Sequence, residues 1–362
     1  MRALLARAFP AMRSTRAPAI PNWANSSLAA SKMRARVASA FLFIRRRLPG
    51  RLTNEPVSSI VPVSATSAWN AMAHEHNVDF YSWGTRCSAV IRLPGGTPPT
   101  AGWPAIVMAH GFRGIKEWLL PPTAQALADA GFAVLTFDYR GFGTSDGERG
   151  LLVPERQVED IRNALTFLSA VEVVDPERLG LWGTSFGCGT VIEATARDSR
   201  VKAVVGQIGF GSAPRMLERF PPERRTAFVK MLAEDAVRRV RTGDGATIDP
   251  AVLLNSPESD TVFADAEKRW PHIAVQIPLN AVERIFEYEP ERFVAAVAPR
   301  PLLLIGATHD HTVPHSEIVH LYRQAREPKE LLTIDVGHYE VYSGPGADKA
   351  RARTVGWFRS YL

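Results

Sequence analysis

The sequence predicts an α/β protein built on a mostly parallel central sheet flanked by helices, and three observations carry that prediction. Strand and helix signals alternate from Cys87 onward, and several strand candidates are apolar on both faces. In addition, Leu179-Gly-Leu-Trp-Gly-Thr-Ser-Phe-Gly-Cys-Gly-Thr190 reads as a strand turning sharply into a helix. Strands that are apolar on both faces need cover on both sides, which helices packed on a parallel sheet provide. At 362 residues, with 46% hydrophobic and 22% charged, the chain has room for one large α/β domain with an insertion, or for two ordinary domains.

The net charge of +6 is not a property of the whole chain. Residues 1–54 carry ten arginines and Lys32 with no acid before Glu55, so removing that +11 leaves −5 on the remainder. The body is therefore mildly acidic and offers no nucleic-acid surface. The arm is rich in Arg, Ala and Ser, which suits an organelle transit peptide, a disordered extension or a membrane-surface helix. Its longest mostly apolar run, Val37 to Ile44, is too short to span a bilayer, so no integral membrane segment is expected. The corresponding location is cytoplasmic, or mitochondrial if the arm is a transit peptide. Two cysteines, Cys87 and Cys188, do not make a disulfide framework.

Residues 55–84 are ambiguous, with helical patches around Ala68 to His76. Cys87 to Leu93 then reads as a strand, closed by the turn Pro94-Gly-Gly-Thr-Pro-Pro99. Ala105 to Ala109 is a short buried-type strand, Pro122 to Ala130 a helix ended by Gly131, and Ala133 to Tyr139 the next strand. Pro154 to Ala170 is an amphipathic helix with Val158, Ile161, Leu165 and Leu168 on one face and proline at its start. Residues 178–184 form the next strand, Thr190 to Ala196 a helix, and Val201 to Ile208 a further strand. The alternation stops after Gly211. Residues 212–298 carry helical patterns (Glu223 to Val240, Asn280 to Glu287, Pro290 to Val297) and no convincing strand. Strands return at Pro301 to Gly306 and Leu331 to Val336, with helices at His315 to Ala325 and Ala347 to Tyr361. The organisation this implies is a core of 55–211 and 299–362 with 212–298 as a helical cap over the carboxyl ends of the strands, where α/β sheets bind ligands. A separate second domain at 212–298 is the alternative.

Chemistry concentrates at those strand ends. Gly183-Thr-Ser-Phe-Gly187 is G-x-S-x-G at a strand-to-helix turn, and the glycines remove the side chains that would collide around the strained serine. Ser185 is the candidate nucleophile. A serine hydroxyl needs a base, and His338 in Asp335-Val-Gly-His-Tyr-Glu340 follows the last strand, at the same sheet edge. The base needs an orienting acid: Asp310, after the strand Leu302 to Gly306, is the candidate, with Asp335 its rival. His309 and His311 flank Asp310 and invite a metal reading, but neighbours in an extended segment point to opposite sides and would not converge on one ion. No metal or cofactor is expected. Ala105 to Gly114 leaves a strand into a glycine-containing loop, so the backbone N–H groups of Phe112 and Phe186 are the candidate oxyanion donors. Cys188, three residues past the serine, is assigned to packing.

These residues resemble the serine α/β-hydrolase superfamily over about residues 85–362. The order Ser185, Asp310, His338 matches that family's order of nucleophile, acid and histidine. His110-Gly111-Phe112 looks like a short form of its oxyanion loop, and Asp138-Tyr-Arg-Gly-Phe-Gly-Thr-Ser-Asp146-Gly147 like an architectural turn. Serine at the elbow and the helical insertion before the acid are similar to dienelactone-hydrolase-like and peptidase-related esterases; true dienelactone hydrolases carry cysteine there. The resemblance implies an α/β-hydrolase fold and a carboxylesterase-like activity on a small to medium hydrophobic substrate. Thioester, amide and carbon–carbon hydrolysis use the same triad, and a fold that binds a small molecule without turnover is the contrasting class. Two features of 212–298 bear on the substrate: an apolar set (Phe228, Trp270, Ile273, Val275, Ile277, Phe286, Tyr288) that either packs helices or lines a pocket, and seven arginines that either face solvent or greet an anion. The sequence is compatible with a homodimer.

Overall fold

The computed structural model describes residues 75–254 and 256–362; the basic arm and the patch at 68–74 lie outside the described residues. The described chain begins with a hairpin, β1 (Glu75–Ser82) and β2 (Thr85–Arg92), whose two-residue turn places both Trp83 (φ 51°) and Gly84 (φ 78°) in the left-handed region. Glu75 and His76 thus belong to a strand, not to the expected helical patch. That strand lies at the sheet edge and buries only Phe80 and Ser82, so it shows little apolar alternation.

From there the alternation unfolds as the sequence predicts. β3 (Trp103–Ala109), α1 (Pro121–Asp129), β4 (Ala133–Phe137), α2 (Pro154–Ser169), β5 (Val174–Thr184), α3 (Phe186–Arg197) and β6 (Val201–Gln207) follow in order. After an insertion come β9 (Leu302–Ala307), α10 (His315–Gln324), β10 (Lys329–Ile334) and α11 (Gly344–Tyr361). The eight strands lie in the order β1-β2-β4-β3-β5-β6-β9-β10. The pairs β1–β2 and β2–β4 are antiparallel and all others parallel. This is an α/β-hydrolase fold, with β3 and β5 in the middle of the sheet.

Strand residues alternate between two cores. Ala105, Val107 and Ala109 pack with Val158, Ile161 and Leu165 of α2 and Val191 and Ile192 of α3. Their neighbours Ile106 and Met108 pack with Leu127 of α1 and Trp357 and Phe358 of α11. The period of two in a strand puts successive side chains on opposite faces, so a sheet with two covered faces reads as an unbroken apolar run.

The insertion separates β6 from β9, which are themselves paired neighbours. It contains α4 (Ala213–Glu218), α5 (Pro222–Thr242), β7 (Thr247–Ile248), α6 (Ala251–Leu254), α7 (Pro257–Arg269), β8 (Ile277–Pro278), α8 (Leu279–Phe286) and α9 (Glu291–Val294). The expectation of no strand here is corrected by β7 and β8, which form a ladder of two residues each, too short to leave a pattern. α7 also escaped the periodicity, although its start is legible: Ser256 accepts from the Ser259 N–H, with Pro257 following. No described helix is long and apolar enough to cross a membrane.

The neck of the insertion is fastened by charge. The Arg215 guanidinium donates through Nε to Glu317 Oε1 (2.6 Å) and through Nη2 to Glu317 Oε2 (2.8 Å) and Glu291 Oε2 (2.7 Å). Glu317, buried on α10, also accepts from the N–H groups of Gly211 and Ser212. Burial alone would push its carboxyl up, but the Arg215 hydrogen bonds and the two amides outweigh it and hold the pKa below the ordinary value of 4.5. Because the folded-state pKa is the lower one, the carboxylate stabilises the fold above that value and the contribution is lost as pH falls through and below it. Glu317→Gln should lower the unfolding free energy by about 1–3 kcal/mol at pH 7. The difference from wild type should shrink below about pH 4. Urea titrations at pH 7 and pH 4 check both statements.

Candidate active site

The site begins with a backbone that only this local sequence can adopt. Between β5 and α3, Ser185 takes φ 53° and ψ −120°, a conformation that L-residues rarely enter. A Cβ at Gly183 would lie 2.2 Å from the Gly187 carbonyl oxygen, and one at Gly187 2.5 Å from the carbonyl oxygens of Ala109 and His110. The turn and the end of β3 therefore touch backbone to backbone. The Ser185 N–H donates to the Gln207 carbonyl at 2.8 Å, tying the strained residue to β6.

Two loops at the same sheet edge bring in the other candidates. After β9, Asp310 turns inward, and after β10, His338 meets it: Nδ1 lies 2.6 Å from Asp310 Oδ2, with both side chains almost fully buried. The second Asp310 oxygen accepts from the Val313 N–H at 2.6 Å, which fixes the carboxylate plane. The rival Asp335 is solvent-exposed and engaged elsewhere, with His309 at 2.8 Å and Thr308 at 2.7 Å. His311 lines a cavity, so the His309-Asp310-His311 run sends its side chains to three different places.

Ser185 and His338 line one pocket, together with His110, Phe112, Trp118 and Tyr339. Among the hydrogen bonds of the described residues, none joins the serine hydroxyl to the imidazole; such bonds commonly tighten only when substrate arrives. Tyr339 and Tyr342, which sequence reasoning did not single out, buttress this side. Tyr339 packs edge-on against His338 with centroids 5.0 Å apart and donates to Ser259, while Tyr342 shares a 2.6 Å hydrogen bond with Thr184. Tyr339 directly follows His338 in sequence, which was the available signal.

Phe112 and Phe186 both line the larger cavity with the serine. The Phe186 N–H is the first of α3 and one of the donors that a helix start leaves without an intrahelical partner. The loop carrying Phe112 is held by a buried ion pair the sequence reading missed. Lys116 Nζ lies 2.6 Å from Asp138 Oδ2, and the Lys116 and Thr144 N–H groups donate to the same carboxylate. Burial disfavours the charged amine, but Asp138 outweighs it and raises the Lys116 pKa. A Cβ at Gly143 would lie 2.2 Å from this carboxylate, so glycine there makes room for it. His110 is buried and burial lowers its pKa; it serves as a neutral packing ring, edge-on to Tyr139 at 4.6 Å. Cys188 is also packing: hypothetical Cβ atoms at Gly206 and Gly209 would fall 2.5 and 2.3 Å from its sulfur, and burial pushes its thiol up to about 12.

A second cavity of about 260 Å³ shares Phe112, Ser185, Leu254 and Thr312 with the pocket that holds His338, which is about 30 Å³. Its walls include Phe210, Met216, Phe220, Ile285 and Phe286. Of the seven apolar insertion residues raised from sequence, only Phe286 lines it. Phe228, Ile273, Val275, Ile277 and Tyr288 are buried in side-chain clusters, and Trp270 packs beside Phe263.

Comparison with known proteins places the chain among the α/β hydrolases. The family model described as serine aminopeptidase, S33, matches residues 103–341. An uncharacterized 31.7 kDa Escherichia coli protein from the traX-finO intergenic region is 37% identical over 262 residues, covering 72% of this chain and 91% of that one. Thiohydrolase aneE of Aspergillus aculeatus is 43% identical over 275 residues, covering 70% and 86%. The crystal structure of the alpha/beta hydrolase GrgF from Penicillium sp. sh18 superposes with a TM-score of 0.67 at 22% identity, over 80% of this chain and 99% of that one.

The loop anchor yields a test. Lys116→Met leaves the Asp138 charge buried without its partner and should cost about 3–5 kcal/mol in a urea unfolding titration. The Lys116→Met/Asp138→Leu double variant should regain part of that, but not all, because the Lys116 and Thr144 amides lose their acceptor.

Proposed function

The chain belongs to the serine aminopeptidase S33 family of α/β hydrolases, and from that premise we propose that it cleaves a carboxylic ester of a small to medium hydrophobic acid through an acyl-enzyme. The observation that carries the reading is the buried 2.6 Å pair of Asp310 and His338 on the pocket that also holds Ser185. Asp310 holds the imidazole with Nδ1 protonated, which leaves Nε2 free to take the Ser185 proton. The serine oxygen attacks the carbonyl, and the N–H groups of Phe112 and Phe186 receive the developing oxyanion. His338 then returns the proton to the leaving group. In the second half the imidazole takes a proton from a water as that water attacks the acyl carbon. It then passes the proton to Ser185 Oγ as the acyl–serine bond breaks and the acid leaves.

The two cavities divide the substrate. The leaving group is protonated by His338, so it departs on the imidazole's side of the serine. The acyl group then occupies the larger apolar cavity. We read residues 212–298 as a cap on this site, which Phe220, Ile285 and Phe286 support by sharing the larger cavity with Ser185. A thioester is the second reading, favoured by the relative named a thiohydrolase; the chemistry differs only in the leaving atom.

Ser185→Ala should lose both turnover and fluorophosphonate labelling, read by intact mass. Asp310→Asn should keep KM and lower kcat by about 10⁴, because the wrong imidazole tautomer is stabilised. Matched p-nitrophenyl esters and N-acetylcysteamine thioesters of one acid decide between the two bonds by their kcat/KM.

A further inference from the structure

The insertion's arginines are not equivalent. Arg215 is bound to Glu291 and Glu317, and Arg238 and Arg239 to Asp235, with Arg239 reaching Glu283 as well. Arg224 lies over the Phe220 ring and donates to the Val252 carbonyl, while Arg225 donates to the Glu218 carbonyl. Arg219 and Arg241 are both exposed, and neither side chain has a carboxylate or carbonyl partner among the described residues. What sets Arg219 apart is its place on the larger cavity beside Ser185.

The cavity wall is otherwise almost wholly apolar, with Thr312 and the exposed His311 as its only other polar side chains apart from Ser185. No acidic residue lines it. A cation there is not the overflow of a basic surface, because the chain beyond residue 54 is net −5. An apolar wall with one unpaired guanidinium selects a ligand that is apolar along its length and anionic at one point. We propose that the acyl group this enzyme accepts bears a carboxylate, which Arg219 binds while the methylene chain lies against Phe220, Ile285 and Phe286. This rests on the hydrolase reading above and adds a substrate class to it. A six-carbon diacid monoacyl group is a simple member of this class, with one carboxylate at the end of a methylene chain.

The test compares p-nitrophenyl hexanoate with the mono-p-nitrophenyl ester of adipic acid, two substrates of equal chain length and leaving group. Wild type should favour the acid-ended ester in kcat/KM by roughly fivefold, the scale of a solvent-facing ion pair, with the gain mainly in KM. Arg219→Gln should reduce that ratio to about one, and Arg219→Lys should keep part of it. Arg241→Gln, at an exposed position outside the cavity, should leave the ratio as in wild type and so control for general charge. Added salt at 0.5 M should shrink the wild-type ratio. The proposal is overturned if wild type shows no preference for the acid-ended ester, or if Arg219→Gln retains the preference. Fluorophosphonate labelling separates the two levels of failure. A labelled Ser185 without the preference removes only the role of Arg219; an unlabelled serine with neither ester turned over removes the hydrolase reading with it.

Discussion

Ser185 can hold a left-handed backbone conformation only because three chain segments meet there with no side chains between them. Gly183 faces the Gly187 carbonyl, Gly187 faces the carbonyls at the end of β3, and a Cβ at Gly111 would lie 3.0 Å from that of the serine. Everything else at the site is arranged around this crossing. β3 and β5 must be adjacent for it to exist, and the parallel register that pairs Ala109 with Gly183 sets the loop after one strand against the turn after the other. The strain at Ser185 is local, and the two apolar cores on either face of the sheet hold the surrounding backbone against relaxing it.

The candidate catalytic residues therefore gather at one sheet edge, but the rigidity of that edge comes from buried polar contacts behind it. Asp138 orders the Phe112 loop through Lys116, much as Val313 orders the carboxylate of Asp310. Arg113, next to Phe112, adds a link outward: it is buried, has φ 45°, stacks over Phe263 and reaches Glu267 at 2.9 Å. The loop that carries Phe112 thus touches the core through Lys116 and the insertion through Arg113. Motion of α7 would be felt at Phe112.

The sequence makes the strands and most of the helices legible for one reason: parallel strands covered on both faces are continuous apolar runs, and their helices carry the matching stripe. The elbow was legible because strained turns demand glycine. The identity of the partner of His338 followed from the topology, since Asp310 and His338 lie in loops past the ends of β9 and β10, whereas Asp335 directly follows β10 and its side chain faces water. What stayed hidden has equally physical causes. β1 is an edge strand with few apolar residues, and β7 and β8 are two residues each. Lys116 meets Asp138 across 22 residues, and no local pattern marks a pair made by folding. The insertion misled in a different way: its large apolar residues mostly pack against one another, while the smaller set around Phe220 and Ile285 faces the cavity. Burial by helix packing and burial around a ligand leave the same periodicity.

The neck of the insertion has an evolutionary consequence. Its two ends leave and rejoin the sheet on neighbouring strands, and Gly211, Arg215, Glu291 and Glu317 lash them together before the chain departs. The cost of closing the loop is met at the neck and grows only logarithmically with what lies beyond it. Residues between Arg219 and Ile285 can therefore be lengthened, shortened or exchanged by descent while the register of β6 and β9 is kept. A scaffold of this kind lets the insertion diverge while the sheet that carries Ser185, Asp310 and His338 keeps its register.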